Sequence, residues 1–472
     1  MEETTKPFNP NARWKKLFSR EYAVQYTEVS LRSLSPEVND IQPFTFYEQI
    51  YIPEENNQTC YADENKWNNF LHSIQSKWGT RNVKPFYKLF IKTGNLYVNF
   101  TRKISKKNIR RLSNEQLKEV YLQYQKILVR YSIFIWLAYF LNEFHAEKAR
   151  QLLQKKVANN DLNDYFDVVF APLKKAAIIE LTDSASSNEN IDKKLMFRLY
   201  RKFSWIPCLD LHNKPWTFEE FKNHIADFRK KKQKPSMTYN QLLKKIKASD
   251  NERKILDAAK LFAYIKDKRD DFRRQGICYI QSSLFREIAD RMKLDLHQLS
   301  YAQEKDIVNF LDNGVVLDDK VINQRKKGFV VYFNSRKEII CASGEDIKNA
   351  LKKLGFNKEE ENFESIKGMS ASKGTAQGRV VIVKGVKDLP NINKGDVLVA
   401  VTTHPDYVPA MQKAVAIVTD EGGVTSHAAI VSREFGIPCI VGTKTATKTL
   451  NDGDYVEVDG SNGMIKILKK KA

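Results

Sequence analysis

Residues 421–438 read EGGVTSHAAIVSREFGIP and place two glycines, two hydroxyl residues and one histidine directly ahead of a helical pattern. The stretch before them, AVAIVTD at 414–420, is apolar and typical of a buried strand. Gly422 and Gly423 let the backbone turn tightly and come close to a ligand. The segment therefore predicts a strand, a glycine turn and a helix, and the chain must contain a domain built around this unit.

The residues from 367 to 472 repeat the alternation of short strands and turns. Asp452-Gly453 and Asn462-Gly463 are turn dipeptides between the last strands. The predicted strands are Arg379–Val383, Val397–Val401, Ala414–Thr419, Cys439–Val441, Tyr455–Val458 and Met464–Leu468, and the predicted helices are Asp406–Lys413 and Ser426–Phe435. This pattern predicts a small α/β domain over residues 367–472.

The chain before this domain has a different spacing of apolar residues. Residues 1–110 are rich in aromatic residues and prolines and predict an irregular, mixed α/β segment. Residues 111–356 are mainly helical, with capping boxes at Ser113–Gln116 and Thr217–Glu220 that mark two helix starts. The charged stretch 357–366 is the predicted linker. The predicted fold class is thus α+β and multidomain, with a mainly helical N-terminal region followed by the C-terminal α/β domain.

Two shorter elements are predicted near the end of the helical region. Ser300–Asn313 has the pattern of one helix, closed by Gly314. Residues 328–333 and 338–341 are apolar and flank the turn residues 334–337, which predicts a β-hairpin.

The net charge is +21, and nearly all of it falls before residue 367. Basic charge can attract nucleic acid or an acidic partner. The lysines are scattered among acidic residues, apart from RKKKQK at 229–234, and no nucleic-acid-binding signature accompanies them. Positive charge alone does not recognise a nucleotide sequence, so nucleic acid is not the expected partner.

Other sequence features favour a soluble, cytoplasmic protein without a membrane partner. The longest apolar run, Tyr131–Leu141, is shorter than the roughly 18–20 residues that cross a bilayer and predicts a buried core helix. The first residues lack the apolar core of a signal peptide. The five cysteines are far apart and form no CxxC pair, which favours neither a disulfide framework nor a zinc site.

The chemistry of the glycine turn centres on His427. Thr425 is the predicted N-cap, which puts Ser426 and His427 in the first helical turn, where free N–H groups and the helix dipole favour an anion. A neutral imidazole, with an ordinary pKa of about 6.5, is a nucleophile that can accept a phosphoryl group. From the residues alone, a histidine in an ordinary structural turn remains the alternative.

The segment GGVTSHAAIVSREFGIPCIVG resembles the phosphohistidine swivelling domain of phosphoenolpyruvate-utilising enzymes. The resemblance extends to the flanking elements GMSASKG, GDVLVA, TTHPDY and VDG, and covers about 105 residues in all. It implies that His427 is transiently phosphorylated, with Thr425 and Ser426 beside it and Gly422 and Gly423 forming the loop that the phosphate approaches. It also implies a domain that moves between two active sites.

Members of this family charge the histidine at an ATP-grasp domain, and no segment here resembles one. The domain order is similar to that of rifampin phosphotransferases, in which the histidine domain follows a helical acceptor-binding region. The resemblance thus implies a chain that binds no cofactor or metal itself. ATP and Mg²⁺ are expected on a separate ATP-grasp protein, and residues 111–356 are expected to bind an unknown small-molecule acceptor.

Two functions follow from this. In the first, the chain is part of a split phosphotransferase in which His427 accepts a phosphoryl group and delivers it to the acceptor. In the second, the chain is a non-enzymatic phosphoprotein whose partner binding is switched by phosphorylation of His427. His404, close by in THPDY, is interpreted as a variable residue without a direct role.

Overall fold

The computed structural model describes residues 12–54, 57–79, 82–158, 162–171, 177–186, 191–227, 237–356, 366–424 and 426–471. The strands are β1 (Trp14–Arg20), β2 (Gln49–Glu54), β3 (Asn57–Asp63), β4 (Phe329–Phe333), β5 (Ile339–Ser343), β6 (Ile366–Lys367), β7 (Met369–Ser372), β8 (Thr375–Val383), β9 (Val397–Ala400), β10 (Ala416–Thr419), β11 (Cys439–Val441), β12 (Tyr455–Asp459) and β13 (Met464–Lys469).

The helices before residue 250 are α1 (Val24–Arg32), α2 (Glu64–Trp78), α3 (Val83–Ile104), α4 (Asn114–Lys156), α5 (Leu162–Phe170), α6 (Ala177–Ser186), α7 (Lys193–Phe203), α8 (Phe218–Asp227) and α9 (Tyr239–Lys245). Those after it are α10 (Asp250–Ile280), α11 (Arg286–Met292), α12 (Leu296–Ser300), α13 (Glu304–Asn313), α14 (Asp319–Lys327), α15 (Asp346–Lys353), α16 (Val408–Lys413), α17 (His427–Phe435) and α18 (Ala446–Thr449). A π-helical turn, Gln281–Phe285, joins α10 to α11. The α+β, multidomain fold class is therefore confirmed.

The chain divides into two compact units that are not contiguous in sequence. The first unit comprises Met1–Leu137, Cys208–Pro215 and Arg269–Glu360, and the second comprises Ala138–Pro207, Trp216–Lys268 and Glu361–Ala472. The predicted linker at 357–366 lies outside the described residues except for Ile366, so the predicted domain boundaries remain a prediction.

The first unit contains a five-stranded antiparallel sheet in the order β1-β3-β2-β4-β5. The segment predicted as irregular therefore supplies three strands of a regular sheet. The hairpin prediction is confirmed, because β4 and β5 pair in register from Phe329↔Ser343 to Phe333↔Ile339. The sheet is stabilised by apolar side chains from strands and helices, including Ile50, Ile52, Tyr61, Val330, Ala342, Ala350 and Leu354.

Close helix packing completes the first unit. A methyl group at Gly94 of α3 would lie 2.4 Å from the Phe272 ring of α10, and one at Gly276 of α10 would lie 2.2 Å from the Tyr97 ring of α3. Each glycine thus provides the space for an aromatic ring on the facing helix. Larger residues at either place would force the helices apart, because protein interiors have little free volume.

The predicted helix over Ser300–Asn313 is wrong at its start. Ser300 ends the short helix α12, and a separate helix, α13, begins at Glu304 after an N-cap at Gln303. The predicted end is correct, since Gly314 adopts a left-handed conformation with φ of 70°. The break was missed because the apolar spacing continues across the two helices while the backbone between them turns.

Helix α4 is a 43-residue element that carries the longest apolar run. Among the described helices it is long and apolar enough, by length and composition, to span a membrane, but 67% of its most apolar window is buried. Tyr131, Phe134, Leu137 and Leu141 are each fully buried. The prediction of a buried core helix is confirmed.

The second unit contains an eight-stranded mixed sheet in the order β6-β13-β12-β8-β9-β10-β11-β7. The central strands β8, β9, β10 and β11 are parallel, and the outer pairs are antiparallel. The C-terminal strand predictions are confirmed to within a few residues. The core of this sheet is made of small branched side chains, among them Val380, Val397, Val399, Ala416, Val418, Ile440, Val456 and Val458.

Both predicted helix starts are confirmed, one in each unit. Thr217 Oγ1 accepts a hydrogen bond from the Glu220 backbone N–H at 3.2 Å, and the Glu220 carboxylate accepts from the Thr217 N–H at 2.8 Å. The capping box at Ser113–Gln116 before α4 is also present. Helix α8 is described to Asp227.

Candidate functional site

The loop that carries His427 lies at the carboxyl ends of the parallel strands. It follows β10 directly, and its first residues are tied to the end of β9, because the backbone N–H groups of Asp420 and Glu421 donate to Ala400 and Val401 carbonyls at 3.1 and 2.8 Å. Ligands of parallel α/β sheets bind at this edge, where loops and helix N-termini converge. The predicted site therefore lies at the edge of the sheet where ligands of such folds bind.

The helix begins one residue later than predicted. Ser426, not Thr425, is the N-cap of α17, and its Oγ accepts a hydrogen bond from the Ala429 backbone N–H at 3.2 Å. His427 is consequently the first residue of the helix. Both residues can cap a helix by type, so the spacing of apolar residues alone could not decide between them. Thr425 itself lies outside the described residues.

Gly422 and Gly423 differ in backbone conformation and in the atoms that surround them. Gly422 has a φ of +105°, and a methyl group there would lie 2.7 Å from the Ser426 Cβ. A side chain at that position would clash with the N-cap residue in a backbone conformation that L-residues avoid. At Gly423 the added methyl would lie 3.2 Å from the Glu143 Oε2. The turn thus depends on glycine for its conformation at Gly422, whereas at Gly423 the neighbouring atom is the end of the flexible Glu143 side chain.

A buried carboxylate holds the start of this loop. The side chain of Asp420, on the residue just after β10, accepts from the Thr443 hydroxyl at 2.8 Å and from the backbone N–H and hydroxyl of Thr447. The Lys444 backbone N–H donates to the Asp420 carbonyl at 3.0 Å. Asp420 is 6% exposed, so these hydrogen bonds compensate for its desolvation. They fix the strand end from which the glycine turn starts.

The His427 ring is oriented by a residue that the sequence reasoning missed. Thr403 Oγ1 lies 2.9 Å from the His427 Nδ1. Thr403 is 6% exposed and lies in the TTHPDY segment after β9, at the same edge of the sheet. The sequence feature that could have identified Thr403 is a hydroxyl residue at the carboxyl end of a predicted strand. In that segment the sequence reasoning weighed only the neighbouring histidine.

That neighbour, His404, is 9% exposed and makes different contacts. Its Nδ1 lies 3.2 Å from the Asp406 Oδ2, and its ring packs edge-on against Tyr407 at 4.5 Å. No contact between His404 and His427 is present among the described residues. The interpretation of His404 as a variable residue remains a prediction.

The loop also faces helices of its own unit. Val424 packs against an apolar cluster formed by α4, α5 and residues of α9 and α10. The Glu143 carboxylate of α4 borders Gly423, and Lys373 makes a 3.2 Å ion pair with Asp164 of α5. In this conformation the glycine loop therefore lies against the helical part of the second unit.

The described residues contain no group of three or more His, Cys, Asp or Glu side chains arranged to hold a metal ion. What the site does offer is one imidazole, the hydroxyl groups of Thr403 and Ser426, and the free N–H groups of a helix start. The N–H groups of a helix start favour an anion rather than a cation.

Comparisons with known proteins agree with this geometry. Residues 392–463 match the family model described as "PEP-utilising enzyme, mobile domain". A phosphoenolpyruvate synthase of Pyrococcus furiosus is 54% identical over 112 residues, and a probable phosphoenolpyruvate synthase of Methanothermobacter thermautotrophicus is 52% identical over 116 residues. An uncharacterised phosphotransferase of Bacillus subtilis, YvkC, is 46% identical over 113 residues.

These matches cover 22–24% of this chain and 14–17% of the relatives. The shared part is thus a domain and not the whole protein. The C-terminal domain is a mobile domain of the phosphoenolpyruvate-utilising type, similar to those of phosphoenolpyruvate synthases and related phosphotransferases.

Proposed function

We propose that this chain is the phosphohistidine component of a split phosphotransferase. In this proposal His427 accepts a phosphoryl group from ATP held, with Mg²⁺, by a separate ATP-grasp protein, and delivers it to a small-molecule acceptor bound by the N-terminal region. The observation that carries the proposal is the orientation of the His427 ring at the start of α17 by Thr403.

The ring geometry supports a defined nucleophile. Because Nδ1 is engaged by the Thr403 hydroxyl, Nε2 is the nitrogen that we expect to attack. This nitrogen is buried in the described conformation, so the proposal requires the loop to open before the histidine is charged. In the charging step the Nε2–P bond forms and the P–O bond to the nucleotide breaks, so the nucleotide leaves with the electron pair. The phosphoryl charge is then balanced by first-turn N–H groups and the dipole of α17.

The delivery step reverses this chemistry toward a different oxygen. The acceptor oxygen attacks phosphorus, the Nε2–P bond breaks, and the imidazole regains its lone pair while the acceptor proton passes to solvent. Support for an acceptor on the helical side comes from Val424 and Gly423, which contact α4 and the apolar cluster around it. The predicted acceptor region, residues 111–356, includes these helices.

The direct test is phosphorylation of the full chain by candidate ATP-grasp proteins. The chain is incubated with one such protein and with ATP labelled in both its β- and γ-phosphoryl groups. We expect label that is stable in base and lost in acid, as a phosphorus–nitrogen bond requires, and that maps to His427. His427→Ala should remove the label, while the matched control His72→Ala, at an exposed histidine of the first unit, should retain it.

Chemical phosphorylation tests the site without an ATP-grasp protein. Phosphoramidate transfers a phosphoryl group directly to imidazoles, so label should appear at His427 in wild type and be absent there in His427→Ala, while the exposed His72 is labelled in both. Label that survives His427→Ala in the enzymatic arm contradicts the proposal. Stable phosphorylation that changes partner affinity without any turnover on candidate acceptors supports the regulatory alternative instead.

A further inference from the structure

Helix α7, in the second unit, presents only one sign of charge to solvent. Its sequence, KKLMFRLYRKF at 193–203, contains no acidic residue. All of its basic side chains are exposed: Lys193, Lys194, Arg198, Arg201 and Lys202. The helix therefore differs from the parts of the chain in which lysines alternate with acidic residues.

The stability of the helix does not account for this distribution of charge. Lys193 and Lys194 occupy the first turn, where the helix dipole disfavours a cation. Arg198 lies at position i+4 from Lys194, and Lys202 lies at i+4 from Arg198, so like charges are neighbours on the helix surface. Both arrangements destabilise a helix, which favours a binding role for the cations.

Few of these charges are neutralised. Lys202 forms an ion pair with Glu180 of α6. The Asp192 carboxylate, at the N-cap, accepts a hydrogen bond from the Leu195 backbone N–H at 2.6 Å. Three cations make no ion pair with any residue that the structure describes: Lys194, Arg198 and Arg201. These three remain available to an anionic partner.

An exposed aromatic ring lies among the cations. Phe197 is 51% exposed, and Lys194 and Arg201 are its neighbours at i−3 and i+4 on the helix. The α7 groove, with a volume of about 710 Å³, is lined by Phe197, Leu195, the N-cap Asp192 and the cations from Lys194 to Lys202. Aromatic and arginine side chains at the centre of a patch are typical anchors of protein–protein interfaces.

We infer that the α7 groove binds an acidic segment of a partner protein that also carries an apolar side chain. Carboxylates of the segment pair with Lys194, Arg198 and Arg201, and its apolar side chain packs on Phe197. Each guanidinium can donate two parallel hydrogen bonds to one carboxylate, which makes arginine well suited to this contact. The inference does not rest on the proposed phosphorylation of His427.

A lipid bilayer fits this surface less well than a protein segment does. The other side of α7 is covered by its own unit, since Tyr200 packs on Phe218 and Phe221 of α8 at 5.3 and 5.6 Å. Along α7, which is described throughout, Phe197 is the one large apolar side chain that is strongly exposed. Helices that lie on membranes insert a whole apolar face, and a single ring does not supply one.

Single-stranded nucleic acid is also disfavoured. Its binding sites combine cations with several aromatic side chains on which successive bases stack. Among the described residues that line the α7 groove, Phe197 is the only aromatic one. A segment with carboxylates around one apolar side chain matches this composition more closely.

The test is fluorescence anisotropy of the full chain with a labelled peptide of repeating Glu-Glu-Leu units. We expect saturable binding that Arg198→Glu/Arg201→Glu weakens about tenfold or more and Phe197→Ser about tenfold, because loss of an interface anchor has effects of this size. A peptide of repeating Glu-Glu-Ser units carries the same charge and should bind wild type about tenfold more weakly. This comparison of two peptides needs no variant.

The matched control is Lys106→Glu/Lys107→Glu, at two exposed lysines of the first unit, which changes the net charge by the same amount. Its affinity for the leucine peptide should stay within about twofold of wild type, since total charge alone gives only unspecific attraction. The inference is overturned if both double variants weaken binding equally or if the leucine and serine peptides bind alike.

Two further probes distinguish the classes of partner. Oligothymidylate or phosphatidylserine vesicles that bind more tightly than the leucine peptide, and lose affinity in Phe197→Ser, would overturn the inference in favour of nucleic acid or lipid. Weaker binding of both probes, unaffected by Phe197→Ser, supports a protein segment. No readout uses ATP or phosphorylation of His427, so a failure here is separate from a failure of the proposed phosphotransfer.

Discussion

At the scale of single residues, the site depends on which atoms of His427 are engaged. The Thr403 hydroxyl lies 2.9 Å from Nδ1 and is nearly inaccessible to solvent, so water cannot readily replace it. This hydrogen bond selects one ring orientation. The reactivity of the histidine should therefore depend on the Thr403 hydroxyl.

We expect Thr403→Val to slow phosphorylation of His427 about tenfold, the equivalent of one hydrogen bond of about 1.4 kcal/mol. Thr403→Ser keeps the hydroxyl and should retain most of the rate. The measurement is the initial rate of acid-labile labelling by phosphoramidate, which needs no partner protein. Equal rates for the valine and serine variants would show that the hydrogen bond does not control the ring.

A second histidine, His145, is expected to make the stability of the fold depend on pH. His145 of α4 is fully buried and stacks on Phe262 at 4.7 Å, and neither ring nitrogen has a hydrogen-bond partner among the described residues. Burial lowers the pKa of His145 to about 4. The unfolded chain therefore binds this proton more readily than the folded one, and stability present above about pH 6.5 is lost as pH falls toward 4.

We expect the free energy of unfolding contributed by this group to fall by roughly 2 kcal/mol between pH 7 and pH 5. His145→Phe keeps an aromatic ring against Phe262 and removes the titrating group, so its stability should depend less on pH by that amount. Urea unfolding of both proteins at the two pH values measures the difference. Parallel pH dependences would mean that His145 is not held neutral.

At the scale of secondary-structure elements, the start of α17 is set by its N-cap. The Ser426 hydroxyl accepts from the Ala429 N–H, and the left-handed Gly436 ends the helix after nine residues. A helix this short derives little stability from its own hydrogen bonds, so the caps and the buried alanine face determine it. The orientation of the first-turn N–H groups depends on the same cap.

Ser426→Ala should lower the free energy of unfolding by about 1 kcal/mol, the usual loss for an N-cap hydroxyl. Thr425→Ala, the matched control, should be closer to neutral, because the observed cap hydrogen bond does not come from Thr425. Thermal or urea unfolding of the two variants compares them. A larger loss in the threonine variant would favour the original prediction of the cap.

At the scale of the whole molecule, the basic charge and the apolar helix α4 bear on where the protein resides. Its mean hydropathy is −0.50 and its net charge is +21. Most of the apolar window of α4 is buried against other elements, so little of that surface is left for lipid. The helix is then a core element, and the cytoplasmic location expected from the sequence remains a prediction.

In a flotation experiment we expect the purified chain to stay at the bottom of the gradient with neutral phosphatidylcholine vesicles. Neutral lipid is the necessary choice, because a strongly cationic protein binds anionic vesicles through charge alone. Co-flotation with neutral vesicles would show that α4 is available to lipid and would contradict its burial.

Much of the C-terminal domain could be predicted from the sequence. The strands, the glycine turn, the helix and His427 follow from local patterns, since periodicity and turn residues act over a few neighbours. The N-terminal sheet could not be predicted in the same way. Its strand β2 pairs with β4, nearly 300 residues later in the chain, and nothing local signals such a pairing.

The amino-acid sequence by itself determined that a histidine stands at the mouth of a helix after a glycine pair, because that depends only on adjacent residues. Tertiary structure alone decided that Thr403 orients the ring and that Ser426 caps the helix. The physical reason is distance along the chain. Long-range contacts are fixed by how strands and helices pack, and a linear pattern carries no measure of that packing.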